Sequence, residues 1–193
     1  QGVHGGSFYL EGNNVLITQS NFTNNYAAQG GVGYIVGDNS NITKSNFHDN
    51  AATHYLRFTL IEQVPTAGGV LYILGSYVDV ESSKFTNNYA DYGDHLTMGG
   101  GAFYIDGIDA IIKDSSFDNS TAVKGGAVFI LGNATKVYDS NFTNNNAVND
   151  SRLDGDGGAV YLEKSFDSDF TRCIFINNTA AINGGAINWF EDA

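Results

Sequence analysis

The chain has 193 residues, 42% of them apolar and only 16% charged, with a formal net charge of −12, 24 glycines and one proline. That length supports one domain with a sizeable core, and the apolar content excludes a disordered chain. The negative charge excludes phosphate backbones and anionic lipid as natural partners, and no apolar run approaches the roughly 20 residues of a membrane span.

The pattern opens at Gly5-Gly6, which is followed by an aromatic and apolar run, Ile17, Ser20, Phe22 and Asn25. A second copy starts at Gly30 and carries Ile42, Ser45, Phe47 and Asn50. Gly68, Gly100, Gly125 and Gly157 open the next four, whose phenylalanines are Phe85, Phe117, Phe142 and Phe175. The matching amides are Asn88, Asn145 and Asn178, with Ser120 standing in the fourth copy. Gly184-Gly185 begins a seventh copy. From first glycine to phenylalanine the spacing is 17 residues in five copies and 18 in the sixth.

A 25-residue period, as between Gly5 and Gly30, is too short for a strand–helix–strand unit, which needs about 30 residues or more. The runs are β-branched and aromatic and lack a 3.6-residue apolar period. They predict an all-β fold: a right-handed, single-stranded parallel β-helix of the pectin-lyase type, one domain over residues 1–193, with about six coils and three short strands per coil. The change of parity between the apolar residue five before each phenylalanine and the small residue two before it marks a corner. Stacking would place Phe22, Phe47, Phe85, Phe117, Phe142 and Phe175 in one buried column. Asn25, Asn50, Asn88, Asn145 and Asn178 would form an amide ladder at a turn, in left-handed backbone geometry. Cys173 occupies a column otherwise made of serine and reads as a small filler; alone, it forms no intramolecular disulfide. The chain begins in mid-pattern at Gln1-Gly2, which reads as a segment of a longer repetitive protein whose flanking coils are its partners.

The arc from each phenylalanine to the next glycine pair carries all the large length variation. It is 8 residues after Phe22 and Phe117 and 9 after Phe175, but 21 after Phe47 and 15 after Phe85 and Phe142. Insertions at one point of a coil emerge on one edge, the usual binding surface of repeat proteins. The first, near 53–67, holds Tyr55, Arg57 and Phe58; the second, near 91–99, holds Tyr92 and His95. These five are the candidate ligand contacts, since Tyr and Arg anchor interfaces and Tyr stacks on sugars. Packing of the first insertion on the solenoid flank is the plainer alternative. The third, near 148–156, carries Asp150, Asp154 and Asp156, oxygen ligands that suit Ca²⁺ although the spacing is not that of an EF-hand; a solvated acidic loop is the plainer reading. No other cofactor is expected.

The pairing of GGA-x-x-[IL], as at 100–105, 125–130 and 157–162, with F-x-x-N resembles the adhesin-like surface proteins of methanogenic archaea. It is also similar to the passenger regions of chlamydial polymorphic outer-membrane proteins. The resemblance implies an extracellular, cell-surface or cell-wall location, attachment to glycans or proteins of another cell, and no catalytic residue. The competing expectation is a carbohydrate-active β-helix enzyme, for which Lys113, Asp114, Asp139 and Arg172 are the best outward cluster; a surface charge ladder is the simpler account. Sequons stand at Asn21, Asn41, Asn119, Asn133, Asn141, Asn149 and Asn177, as an exported glycoprotein would carry. An ice-binding array is disfavoured because His48, Asp118 and Ile176 interrupt the column of Thr23, Thr86 and Thr143.

Overall fold

A computed structural model describes residues 3–53, 65–90, 99–149 and 155–190. All regular structure among them is strand, and every strand pairing is parallel. The first coil contains β1 (Phe8–Glu11), β2 (Leu16–Thr18), β3 (Asn21–Thr23) and β4 (Tyr26–Ala27). Five further coils repeat this order, and Ile187–Phe190 supplies one more first strand. Equivalent strands stack into four ladders, the first of seven strands and the others of six. The chain is a parallel β-helix with about six coils.

There are four strands per coil rather than three. The extra one is only two residues long and carries the alanine column of Ala27, Ala52, Ala90, Ala122, Ala147 and Ala180. Two residues are too few to display an alternating pattern, so the sequence hides this strand inside an apparent loop.

Non-glycine residues with positive φ mark the corners at fixed offsets from each phenylalanine: eight before (Asn14, Asn39, Tyr77, Asp109, Ala134, Asp167), three before (Gln19, Lys44, Ser82, Asp114, Asp139, Arg172) and two after (Asn24, Asp49, Asn87, Asn119, Asn144, Asn177). The left-handed residue at the last corner is therefore the one preceding the amide ladder, not the ladder asparagine. The fourth corner is the first glycine of each pair; at Gly125 φ is +58° and a Cβ would lie 2.1 Å from the Val128 carbonyl oxygen. The second glycine serves a different need. A Cβ on Gly126 would sit 2.2 Å from the backbone oxygen of Gly158 in the next coil, so only glycine permits this approach.

Register holds the columns in line. Phe22, Phe47, Phe85, Phe117, Phe142 and Phe175 pair in succession along the third ladder. Their rings stack with centroids 5.2, 4.9, 4.7, 4.8 and 5.0 Å apart and planes within 10°. The middle four are buried, and the outer two half-buried. The rings contribute to a core built with Ile35, Ile73, Ile105, Ile130 and Leu162 of the first ladder and Ile42, Val80, Ile112 and Val137 of the second.

Polar columns stitch the corners. Each ladder asparagine after the first accepts through Oδ1 from the backbone N–H of the preceding coil: Asn50 from Asn25 at 3.0 Å, Asn88 from Asn50 at 3.1 Å, Asn178 from Asn145 at 2.9 Å. Its Nδ2 reaches back to a phenylalanine carbonyl, Asn88 to Phe47 at 3.1 Å and Asn145 to Phe117 at 3.0 Å. Serine does similar work two residues before the phenylalanine: Ser45 Oγ donates to Thr43 O at 2.9 Å and accepts the Ser20 N–H at 3.2 Å. Buried main-chain groups that the strand ladders leave unused at the bends thus find partners.

Candidate functional site

The insertion edge is defined by where the chain leaves the solenoid and where it returns. Before the first insertion, Thr53 N–H donates to Ala27 O at 2.7 Å; after it, Ala67 N–H donates to Ala28 O at 3.4 Å. Departure and return are pinned to adjacent carbonyls of the coil beneath. The third insertion repeats this, with Val148 N–H on Ala122 O at 2.9 Å and Asp156 N–H on Val123 O at 3.2 Å. The chain therefore leaves and rejoins the coil at one point, and the ladders on either side keep register. The second departs after Ala90, one coil above the first, and returns at Gly99, which bridges Ala67.

Tyr55, Arg57, Phe58, Tyr92 and His95 lie outside the described residues, as do Asp150 and Asp154. Asp156 is described and is buried. Its Oδ1 accepts the backbone N–H of Asn183 at 3.0 Å, so this carboxylate holds the return of the third insertion against the next coil. Among the described residues, no group of three or more His, Cys, Asp or Glu is placed to hold a metal.

One feature beside this edge escaped the sequence reading. Four residues after each first glycine stands an outward aromatic: Tyr9, Tyr34, Tyr72, Tyr104, Phe129 and Tyr161. Their rings stack at 5.4, 5.0, 4.5, 5.1 and 5.2 Å as a second aromatic column, separate from the phenylalanine core. All but Tyr9 are buried. Burial pushes the Tyr72 phenol up to about 12 and raises Tyr104 further, because the phenolate would lose its water. Residues just before the glycine pair lie against this wall. The His4 ring meets Tyr34 edge-on at 4.6 Å, and Lys124 Nζ sits 4.7 Å from the Tyr161 ring centroid and 3.3 Å from its hydroxyl. The clue was the fixed offset from the glycines; the odd–even pattern assigns these positions outward, where an aromatic column is unexpected.

The outward charges sort into cross-coil pairs. Arg172 grips Asp139 with two parallel bonds, Nε to Oδ1 at 2.6 Å and an Nη to Oδ2 at 2.7 Å. The guanidinium holds the Asp139 carboxyl below its ordinary range. Lys113 pairs instead with Glu81 at 3.2 Å. Three of the four cluster residues are thus taken up in two pairs, Lys113 with a residue outside the cluster, and Asp114 stands one coil from Asp139 at the same corner.

Of the sequons, Asn21, Asn119, Asn133, Asn141, Asn149 and Asn177 are exposed, whereas Asn41 is half-buried with its Oδ1 enclosed and lacking a partner. Cys173 is half-buried, and its thiol donates to Val137 O at 3.3 Å.

Compared with known proteins, residues 139–163 and 172–188 match the Chlamydia polymorphic membrane protein repeat. These stretches cover the fifth and sixth phenylalanines and the last two glycine pairs. No curated protein and no solved structure matches the chain.

Proposed function

We propose that the chain is a non-catalytic adhesive module displayed outside the cell, a stiff β-helical stalk whose insertion edge contacts glycans or proteins of another cell. The observation that carries this reading is the pinning of both ends of the first and third insertions to neighbouring carbonyls. It lets the edge vary in length and composition while the stalk stays unchanged, as a recognition surface on a scaffold requires. The repeat match supports the location, since that repeat is named for the polymorphic membrane proteins of Chlamydia. Tyr55, Arg57, Phe58, Tyr92 and His95 are the proposed contact residues, and Asp150 and Asp154 a proposed calcium contribution to the third insertion. Six coils at ~4.8 Å each give a stalk section of roughly 29 Å.

The test is attachment of beads coated with the purified chain to cultured cells, with and without residues 54–64, 91–98 and 150–154. The deletions should leave the melting curve of the solenoid cooperative and abolish attachment. Attachment that survives removal of all three segments would refute the assignment of the edge. Turnover of a polysaccharide by the intact chain would replace this reading with a hydrolase or lyase.

A further inference from the structure

We propose that the outward wall of the third ladder and the corner that follows it carry N-linked oligosaccharide, at Asn21, Asn141 and Asn177, with a further acceptor at Asn133. The inference rests on the extracellular reading above and adds a chemical modification to it.

The seven sequons are chemically alike but structurally unequal. Attachment replaces one hydrogen of Nδ2 and leaves Oδ1 able to accept, so a side chain that only accepts hydrogen bonds can be modified without breaking any. Asn21 is such a case: the residue is exposed, and its Oδ1 accepts from Asn46 Nδ2 at 2.9 Å. Asn133 is another, with Oδ1 accepting the Phe166 N–H at 2.9 Å. Asn141 stands outward at the start of its strand beside a buried Phe142, and Thr143 of its sequon is on the same outward face, two residues along. Asn177 occupies an exposed left-handed corner with φ of 53°. By contrast, Asn119 donates Nδ2 to Asn87 Oδ1 at 2.8 Å within a surface amide row, and Asn41 has its amide oxygen shut away from water. Asn41 is also the least exposed of the seven sequon asparagines, so a sugar there meets its neighbours more closely than at the exposed acceptors.

The distribution is also one-sided. No sequon asparagine lies on a strand of the first ladder, which bears the tyrosine wall, or of the fourth, which leads to the insertions; Asn149 alone stands where an insertion begins. Three of the four acceptors lie on the third-ladder side. Sugars at these three would clothe the third-ladder flank of the stalk, away from the insertion edge.

The donor is a lipid-pyrophosphate-linked oligosaccharide. The Nδ2 attacks the anomeric carbon, the carbon–oxygen bond to the pyrophosphate breaks, the lipid pyrophosphate departs with the electron pair, and Nδ2 gives one proton to the transferase base.

The chain recovered from the surface of its own cells is digested and treated with peptide-N-glycosidase in heavy-oxygen water, which turns each occupied Asn into a labelled Asp. Label at Asn21, Asn133, Asn141 and Asn177 and none at Asn41 is the expected map; a surface-exposed chain bare at all four overturns the proposal and leaves the adhesive reading intact. A chain absent from the surface counts against the adhesive reading alone, because the acceptor question has a second arm. The chain is exported from a host that has an oligosaccharyltransferase, alongside T143V, which keeps Asn141 but removes its sequon. Loss of one glycan in T143V with an unchanged circular dichroism spectrum supports the assignment. Bare acceptors, or a folded chain glycosylated at Asn41, refute it.

Discussion

Ser120 interrupts the amide ladder, and Ser120→Asn should repair it. The Ser120 hydroxyl is buried and has no hydrogen-bond partner, so neither donor of Asn88 in the coil below is received there. Only the backbone keeps the pattern, with Ser120 N–H donating to Asn145 Oδ1 at 3.0 Å. An asparagine built as at Asn145 would accept the backbone N–H and Nδ2 of Asn88, donate to Phe85 O, and donate onward to Asn145 Oδ1. Each net bond contributes about 0.5–1.5 kcal/mol. Four such bonds, discounted for shared acceptors and for the side-chain ordering, stabilise the fold by about 2 kcal/mol. For a chain of this size that raises the melting temperature by roughly 4–8 °C. Thermal and urea denaturation of Ser120→Asn against the parent measures it, and Ser120→Ala provides the control. The alanine deletes a hydroxyl that satisfies nothing, so it should change stability by less than about 1 kcal/mol. An asparagine variant no more stable than the parent would show that the ladder is a consequence of stacking and not one of its causes.

Phe85→Ala, in the middle of the ring column, should cost about 3–5 kcal/mol, read as a lowered denaturation midpoint. Cys173→Ser restores the hydroxyl that the second to fifth coils place on the preceding backbone N–H and should be neutral to about 1 kcal/mol stabilising in the same assay. Gly126→Ala, whose Cβ would collide with the Gly158 carbonyl, should prevent a cooperative melt or lower its midpoint severely. Alkaline stability follows from Tyr72 and Tyr104, whose folded pKa values are raised above the ordinary 10. Their contribution is full below pH 10 and is lost as pH rises toward about 12, at up to ~1.4 kcal/mol per pH unit for each ring. Melting temperatures between pH 8 and 11.5 check this, and Tyr72→Phe with Tyr104→Phe should flatten the decline.

The columns that were legible in the sequence are those in which one residue type does one job in every coil. Phenylalanine stacks, asparagine ties the turn, and glycine admits a backbone close to another backbone. Each is held by contact with its own equivalents, so a fixed offset survives. Three features were not legible, each for a physical reason. The fourth strand is two residues long and shows the chain only an alanine. The left-handed residue at the amide corner varies among Asn and Asp because both tolerate that geometry and either can accept in the surface row, as Asp49 does from Asn87 and Asn87 from Asn119. The tyrosine wall breaks the expectation that aromatics on a solenoid point inward. At the insertion edge, composition alone singled out Tyr55, Arg57, Tyr92 and His95, whereas the stem geometry that makes the edge special lies in backbone bonds that no side-chain pattern records.

That geometry explains why length varies in one arc only. Between first glycine and phenylalanine, each residue belongs to a ladder or a corner, and one extra residue would reverse the inward and outward faces of the strand after it. The sixth coil shows how narrow the tolerance is. Its one added residue falls at a corner, where Lys164 takes a left-handed conformation and the Ser165 and Ser168 hydroxyls bond to each other at 2.6 Å inside the bend. Past the alanine column the constraint disappears, because the next ladder is reset by the glycine pair. An insertion there begins and ends at neighbouring carbonyls, so its closure cost grows only slowly with length, about 0.6 kcal/mol per doubling. Selection on what the edge touches can then act on these segments almost independently of selection on the stalk. A graded test is to lengthen the 8-residue arc after Phe22 with a flexible segment, expecting a midpoint change within about 1 kcal/mol, while the same segment placed between Ile17 and Phe22 should abolish folding. Equal tolerance at the two positions would mean that ladder register does not determine where this solenoid accepts change.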